Sequence, residues 1–275
     1  MELIAICFWV IAFLFGVIMG SFLNVVIYRL GSGVGFGGRS KCLSCGKTLR
    51  PMMLIPVLSY VLQRGRCAFC KARISCQYPI VELLSGGAAV LALWVNHVSL
   101  LTFAPLPLSL AFIDAVIWMT LLLIMVYDLK HQIIPDRLSL LFALLAGLSL
   151  AIKYTYGLVA LPYIPIFDSV PKWIDIAAGP LLFLPFATLW YLSAGRAMGL
   201  GDAKLSWGIG WFLGISGGIT ALVFAFWIAF FPSLFLLFVR GKHFTMKSEI
   251  PFAPFLILGT LVVYAFHFDL LQWTF

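Results

Sequence analysis

Long uncharged apolar runs, broken by short polar or basic stretches, set the pattern of the chain. Leu3 to Tyr28 carries no charge, nor does Leu83 to Ile113, and that second run resumes beyond Asp114 as far as Tyr127. Leu138 to Ile152, Ile176 up to Arg196, Leu205 to Val239 and Ile250 to Phe268 follow. A helix needs about 20 apolar residues to cross a hydrocarbon core about 30 Å thick. Leu205 to Val239 is 35 residues, which as one helix would be about 52 Å long. The cluster Gly214, Gly217 and Gly218 therefore predicts a turn within it. Leu83 to Tyr127 holds two spans, separated near Asn96–Pro107. The pattern predicts an all-α polytopic membrane protein with about eight transmembrane helices, seven being the alternative count. The first run is expected to stay as a span and not to be removed as a signal peptide. Glu2 stands where a basic n-region belongs, and the apolar run is too long.

Composition agrees with that pattern. The 275 residues are 63% hydrophobic and 10% charged, against roughly 25% charged in soluble domains. An ordinary soluble globular protein is excluded. The expected organisation is a first transmembrane span over 1–28, a polar domain over 29–78 and a transmembrane domain over 79–275.

Charge asymmetry predicts orientation. Arg29 to Arg73 holds nine of the 18 Lys and Arg and no acid, so the positive-inside rule puts this loop in the cytoplasm. Alternating eight spans from there places Lys130, Arg137, Arg196, Lys204, Arg240, Lys242 and Lys247 inside as well. Lys153 and Lys172 fall outside. The net charge of +8 is thereby explained by topology and attraction to anionic headgroups, with no nucleic acid as partner.

Within the basic loop, Cys42-x-x-Cys45 and Cys67-x-x-Cys70 form two knuckles with 21 residues between them. Four thiolates so spaced match a tetrahedral zinc site. Gly46-Lys47 and Lys71-Ala72 follow the knuckles closely, and cations there help keep thiolates deprotonated. Two disulfides are the alternative, which a reducing cytoplasm opposes. A site closed by four sulfurs leaves no open coordination position, so this zinc is expected to be structural in a small zinc-ribbon-like domain. Cys7, in a span, reads as an apolar filler, and Cys76 receives no role.

Ionisable groups against hydrocarbon are costly and commonly functional. Asp128 closes the third span, and Asp202, in Gly199-Leu200-Gly201-Asp202-Ala203-Lys204, opens the sixth. Both fall at the cytoplasmic edge, so they can meet. Helix capping is the plainer alternative for Asp202. Glycines beside it allow the close backbone approach that an extended substrate needs. Asp136, after Pro135, reads as a helix cap. Asp114 lies 14 residues before Asp128, about 21 Å along one helix and away from the pair. His97, His131, His243 and His267 are scattered, and a surface role is expected for His131. Ser21 and Asn24 in the first span could bond to neighbouring helices.

These residues resemble a family. Gly199-Leu200-Gly201-Asp202 is the GxGD motif of intramembrane aspartic proteases, with Lys204 completing the local pattern. Asp128 with Ile134-Pro135-Asp136 looks like the first-aspartate motif of the type IV prepilin peptidases. Gly20-Ser21-Phe22-Leu23-Asn24-Val25-Val26-Ile27-Tyr28-Arg29-Leu30 is similar to that family's N-terminal signature. So are Ile55-Pro56-Val57-Leu58-Ser59-Tyr60, Arg64-Gly65-Arg66-Cys67, Tyr78-Pro79-Ile80-Val81-Glu82-Leu83-Leu84 and Pro251-Phe252-Ala253-Pro254-Phe255-Leu256. Leu43 departs from the usual Pro, Arg50-Pro51-Met52-Met53-Leu54 from a polar or acidic stretch, and Ala253 from the usual Gly.

The resemblance implies an enzyme of the bacterial inner membrane, with active site and zinc loop facing the cytoplasm. Its substrates would be type IV prepilins or pseudopilins in the lipid bilayer. It implies cleavage of a short basic leader after glycine, with Asp128 and Asp202 as the catalytic pair. It also implies N-methylation of the new terminus from S-adenosylmethionine. No glycine-rich nucleotide loop marks that second site, and the first cytoplasmic loop, Asn24 and Glu82 are the candidates. The competing readings are a transporter or scaffold with a zinc loop, and a GxGD protease for other membrane peptides.

Overall fold

The structure is a computed structural model that describes residues 2–30, 35, 37–98, 104–156, 173–196, 198–240 and 251–270. Lys172, Lys242, His243 and Lys247 lie outside the described residues. Among those described, the secondary structure is helical: α1 (Glu2–Arg29), α2 (Leu58–Leu62), α3 (Gln77–Val95), α4 (Pro105–His131), α5 (Asp136–Thr155), α6 (Trp173–Leu192), α7 (Leu200–Arg240) and α8 (Ala253–Phe266), with a 3-10 turn at Pro51–Met53. Helices satisfy their own backbone hydrogen bonds, which hydrocarbon cannot do for them. Six are long and apolar enough to cross a membrane: Ile6–Arg29 of α1, α3, α4, α5, α6 and Leu200–Phe235 of α7. Their outward faces carry exposed Ile11, Phe15, Leu140, Leu144, Trp227 and Phe231, as contact with lipid tails requires.

The eight expected segments map onto these helices because α7 counts twice. Gly214 interrupts it with φ 76° and ψ −178°. A Cβ on Gly218 would stand 3.5 Å from the Cα of Gly210, whereas eight residues of straight helix span about 12 Å. The chain therefore doubles back at Gly214, giving limbs over 200–213 and 215–240. The 14-residue α8 supplies the last segment.

The chain divides into two compact units, 1–123 and 124–275. In the first, α1 lies against α3 with backbones almost touching. Cβ atoms on Gly16 and Gly20 would come within 2.8 Å of the Gly86 Cα and 2.7 Å of the Glu82 Cα. Gly16-x-x-x-Gly20 is thus a small-residue stripe for helix association, where close van der Waals packing replaces the hydrophobic effect. In the second unit, α7 packs against α5, α6 and α8. Ser206 donates to the Leu182 carbonyl at 3.1 Å, and Trp211 Nε1 to the Ile176 carbonyl at 2.9 Å.

Polar groups hold the Gly214 turn. Buried Asp175 accepts the Ile215 N–H at 3.2 Å. Ser216 donates to buried Asp269 at 2.6 Å, with Thr220 at 3.4 Å. Gly214 occupies a backbone region that side chains do not tolerate, and a Cβ there would meet Asp175 Oδ1 at 2.8 Å. Gly214→Ala should therefore cost about 1–3 kcal/mol and lower the thermal unfolding midpoint in detergent. Gly217→Ala, in helical backbone, should be much milder. Equal midpoints for Gly214→Ala and wild type would refute the turn.

Candidate active site

Asp128 sits one turn before the end of α4, and Asp202 in the first turn of α7. Both are buried, at 5% and 9% exposure. They lie close enough for the charge of Asp128 to bear on Asp202. Asp128 accepts the backbone N–H of Ala253, the first residue of α8. That N–H is one of the donors a helix leaves unsatisfied at its start. The Pro251–Leu256 motif thus delivers a helix N-terminus to one aspartate, and the other lies at the N-terminus of α7. Such helix ends favour negative charge.

The close approach of two loops sets Asp202 in place. A Cβ on Gly201 would fall 2.9 Å from the Ile134 Cβ, so only a glycine lets α7 start against the segment after α4. Gly199 lies beside the Asp202 side chain: its Cβ position is 3.7 Å from Oδ2, and its carbonyl accepts the Asp202 N–H at 3.3 Å. Lys204 reaches across to Asp136 Oδ1 at 2.6 Å. Asp136 is therefore not the cap expected from sequence. Pro135 occupies the N-cap position of α5, and no side chain caps there. Asp136 instead ties α5 to α7. Asp202 is likewise no cap, since it lies inside the first turn. His131 stacks on Tyr127 with ring centroids 4.5 Å apart. Asp114, at 1% exposure, accepts from Asn96 Nδ2 at 2.9 Å and joins α4 to the end of α3.

The four knuckle cysteines converge, with every sulfur within 4.8 Å of the others. The Cys42–Cys70 separation of 3.8 Å matches the edge of a tetrahedron around zinc, about 3.8 Å for bonds of about 2.3 Å. The knuckles repeat each other. Cys42 N–H and Cys67 N–H bond the carbonyls of Lys47 and Ala72 at 2.9 and 2.8 Å. Gly46 N–H and Lys71 N–H bond back to those cysteines' carbonyls at 2.9 and 3.0 Å. Gly46 and Lys71 both have positive φ, at 71° and 60°, a conformation that favours glycine at the first of these two positions. The N–H groups of Cys45 and Ser44 hold the Cys42 thiol down to about 6. At Cys70 the Ala72 N–H acts in the same sense, but burial and the neighbouring sulfurs outweigh it and push that thiol up to about 11. A second thiolate is opposed by the first, and a metal cation among the sulfurs removes that opposition. These four cysteines could hold a metal ion. Cys76, given no role from sequence, meets the Tyr60 hydroxyl at 3.3 Å.

Beside this loop lies a polar cluster that sequence reading only touched. Asn24 Nδ2 donates to the Tyr78 carbonyl at 3.0 Å, and Gln77 Nε2 to Asn24 Oδ1 at 3.4 Å. Glu82, 6% exposed, accepts the Val57 N–H at 2.7 Å and a bond from Ser21. Gly16-x-x-x-Gly20 was the available signal that α1 and α3 would meet here.

The six long apolar helices fit a polytopic membrane protein, and sequence relatives show its family. Residues 14–96 match the bacterial peptidase A24 N-terminal domain, and residues 115–237 match the type IV leader peptidase family. Proteins named prepilin leader peptidase/N-methyltransferase are similar along most of the chain. The one from Pseudomonas putida is 31% identical over 92% of this chain and 88% of its own. That of Bacillus subtilis (strain 168) is 31% identical over 93% of each, and that of Neisseria gonorrhoeae 28% over 90% and 88%. No solved structure matches. The chain belongs to the type IV leader peptidase family.

Packing at the α7 start yields a test. Gly201→Val should force Ile134 aside and displace Asp202, cutting peptidase activity severely while α7 remains helical by circular dichroism. Lys204→Met should lower the unfolding free energy by about 1 kcal/mol or less, because exposed ion pairs contribute little. Full activity in Gly201→Val would show that the contact is dispensable.

Proposed function

We propose that this chain removes the leader from type IV prepilins or pseudopilins and N-methylates the terminus so exposed, with Asp128 and Asp202 as the peptidase pair. The observation that carries the first half is two buried carboxylates whose charges interact, Asp202 in the first turn of α7 and Asp128 accepting the N–H at the start of α8. Two adjacent carboxyl groups cannot both ionise cheaply, so the pair shares one proton. The ionised member takes a proton from water as that water attacks the scissile carbonyl. The protonated member donates to the carbonyl oxygen as it gains charge. Gly199 and Gly201 keep the backbone beside Asp202 open to an extended peptide, and Lys204 braces it through Asp136.

The names of the relatives support the substrate and the second activity. S-adenosylmethionine would supply the methyl group, bound to a cationic sulfur. The hydroxyl and amide groups of Ser21, Asn24 and Gln77 suit such a small polar ligand, and are the groups of the N-terminal unit that would hold it. The nine-base, acid-free loop supports a cytoplasmic position for the metal site and the aspartates, in a bacterial inner membrane. Zinc is the metal that four thiolates at tetrahedral spacing fit best. With no open position it would stiffen the loop and take no part in hydrolysis.

Zinc analysis of protein purified without chelator should find about one ion per chain. Replacing Cys42 and Cys45 by Ser should release it, with methylation falling further than cleavage. An absence of zinc in wild type would reject this assignment. Asp128→Asn and Asp202→Asn should each abolish leader removal from a co-reconstituted prepilin, read by mass, while zinc and membrane insertion persist. Asn is nearly isosteric but cannot ionise. The double variant should be no worse than either single one, because the residues act as one unit. Asp114→Asn and Asp136→Asn should retain cleavage. Robust cleavage by either dyad variant would end the aspartic mechanism.

A further inference from the structure

Between residues 3 and 113 the chain contains one carboxylate, Glu82, and the sole imidazole there is His97 beyond the end of α3. The matched N-terminal domain, 14–96, therefore has one carboxylate and no imidazole. Four of its cysteines form the candidate metal site, and Cys76 is engaged with Tyr60. Any step in this domain that needs a carboxylate falls to Glu82.

Its setting fits that task. Nine Lys and Arg lie between residues 29 and 73, yet Glu82 forms no ion pair among the described residues. It is buried against α1, where the Val57 N–H at 2.7 Å and Ser21 fix its orientation. A carboxylate has about four lone-pair sites, and two donors leave room for more. Val57 has φ 58° and ψ −54°, a strained backbone for a β-branched residue. Strain of this kind collects at functional sites, and the Glu82 bond holds it.

We propose that Glu82 receives the new N-terminal ammonium of the cut chain and takes its proton during methyl transfer. This rests on the methyltransferase reading above. The amine nitrogen is nucleophilic only without that proton. As its lone pair bonds the methyl carbon, the carbon–sulfur bond breaks and its electrons remain on sulfur. The proton lost from nitrogen passes to the Glu82 carboxylate. The sulfonium sulfur itself carries no N–H or O–H, so of the two reacting centres it is the amine that a hydrogen-bonded carboxylate serves.

Full-length protein in nanodiscs, carrying Glu82→Gln, tests the assignment. Gln keeps an acceptor for the Val57 N–H and removes only the charge. Leader cleavage, zinc content and calorimetric binding of S-adenosylmethionine should match wild type, while methylation falls about 100-fold. A synthetic leader-free peptide with a free amine should bind the variant more weakly than wild type. Its N-acetylated form should bind both alike. Glu82→Asp, which keeps the charge, should methylate better than Glu82→Gln. Near-normal methylation by Glu82→Gln, or a Gln variant as good as the Asp variant, overturns the proposal. Loss of S-adenosylmethionine affinity with peptide binding intact also overturns it, by assigning Glu82 to the methyl donor. A wild-type protein that cleaves without methylating overturns the methyltransferase reading itself.

Discussion

A carboxylate buried beside hydrocarbon must be answered by a donor, and this demand runs through the molecule. Glu82 takes the Val57 N–H, Asp128 the Ala253 N–H and Asp175 the Ile215 N–H. Asp114 takes the Asn96 amide, and Asp269 the Ser216 hydroxyl. An unanswered polar group in such surroundings costs several kcal/mol. Each acid therefore fixes where a helix begins, ends or turns. Three of the donors are backbone N–H groups at or near such breaks, where helices leave donors free.

The aspartate pair shows how that demand becomes a site. Asp128 is held by the start of α8, and Asp202 rides on the start of α7. The second would be misplaced without Gly201, because any side chain there collides with Ile134. The salt bridge between Lys204 and Asp136 spans the same junction, with Asp136 78% exposed, so its contribution is alignment more than stability. Motifs far apart in the chain are thus parts of one contact.

The metal loop follows the same economy of short-range bonding. Two knuckles with matching backbone hydrogen bonds bring four sulfurs together. Among the described residues, Val57 ties the loop to a buried acid, Glu82, in the first turns of α3. That bond couples the loop's backbone to the helix pair, where Gly16 and Gly20 let α1 approach α3.

Helical class, the turn near Gly214, the convergence of the four cysteines and the nearness of the two aspartates were legible from sequence, because each depends on local spacing or on the cost of charge in lipid. Length against membrane thickness demanded a break between Leu205 and Val239, and glycine marked where. Asp136 was misread as a cap because its partner Lys204 lies 68 residues away, and no local pattern reports such a pairing. Glu82 entered from sequence only as a candidate implied by the family resemblance, and its bond to Val57 and its burial against α1 came from packing. Sequence alone determined which groups are expensive to bury. The tertiary structure decided which donors answer them, since those donors are mostly backbone atoms whose positions no residue name encodes.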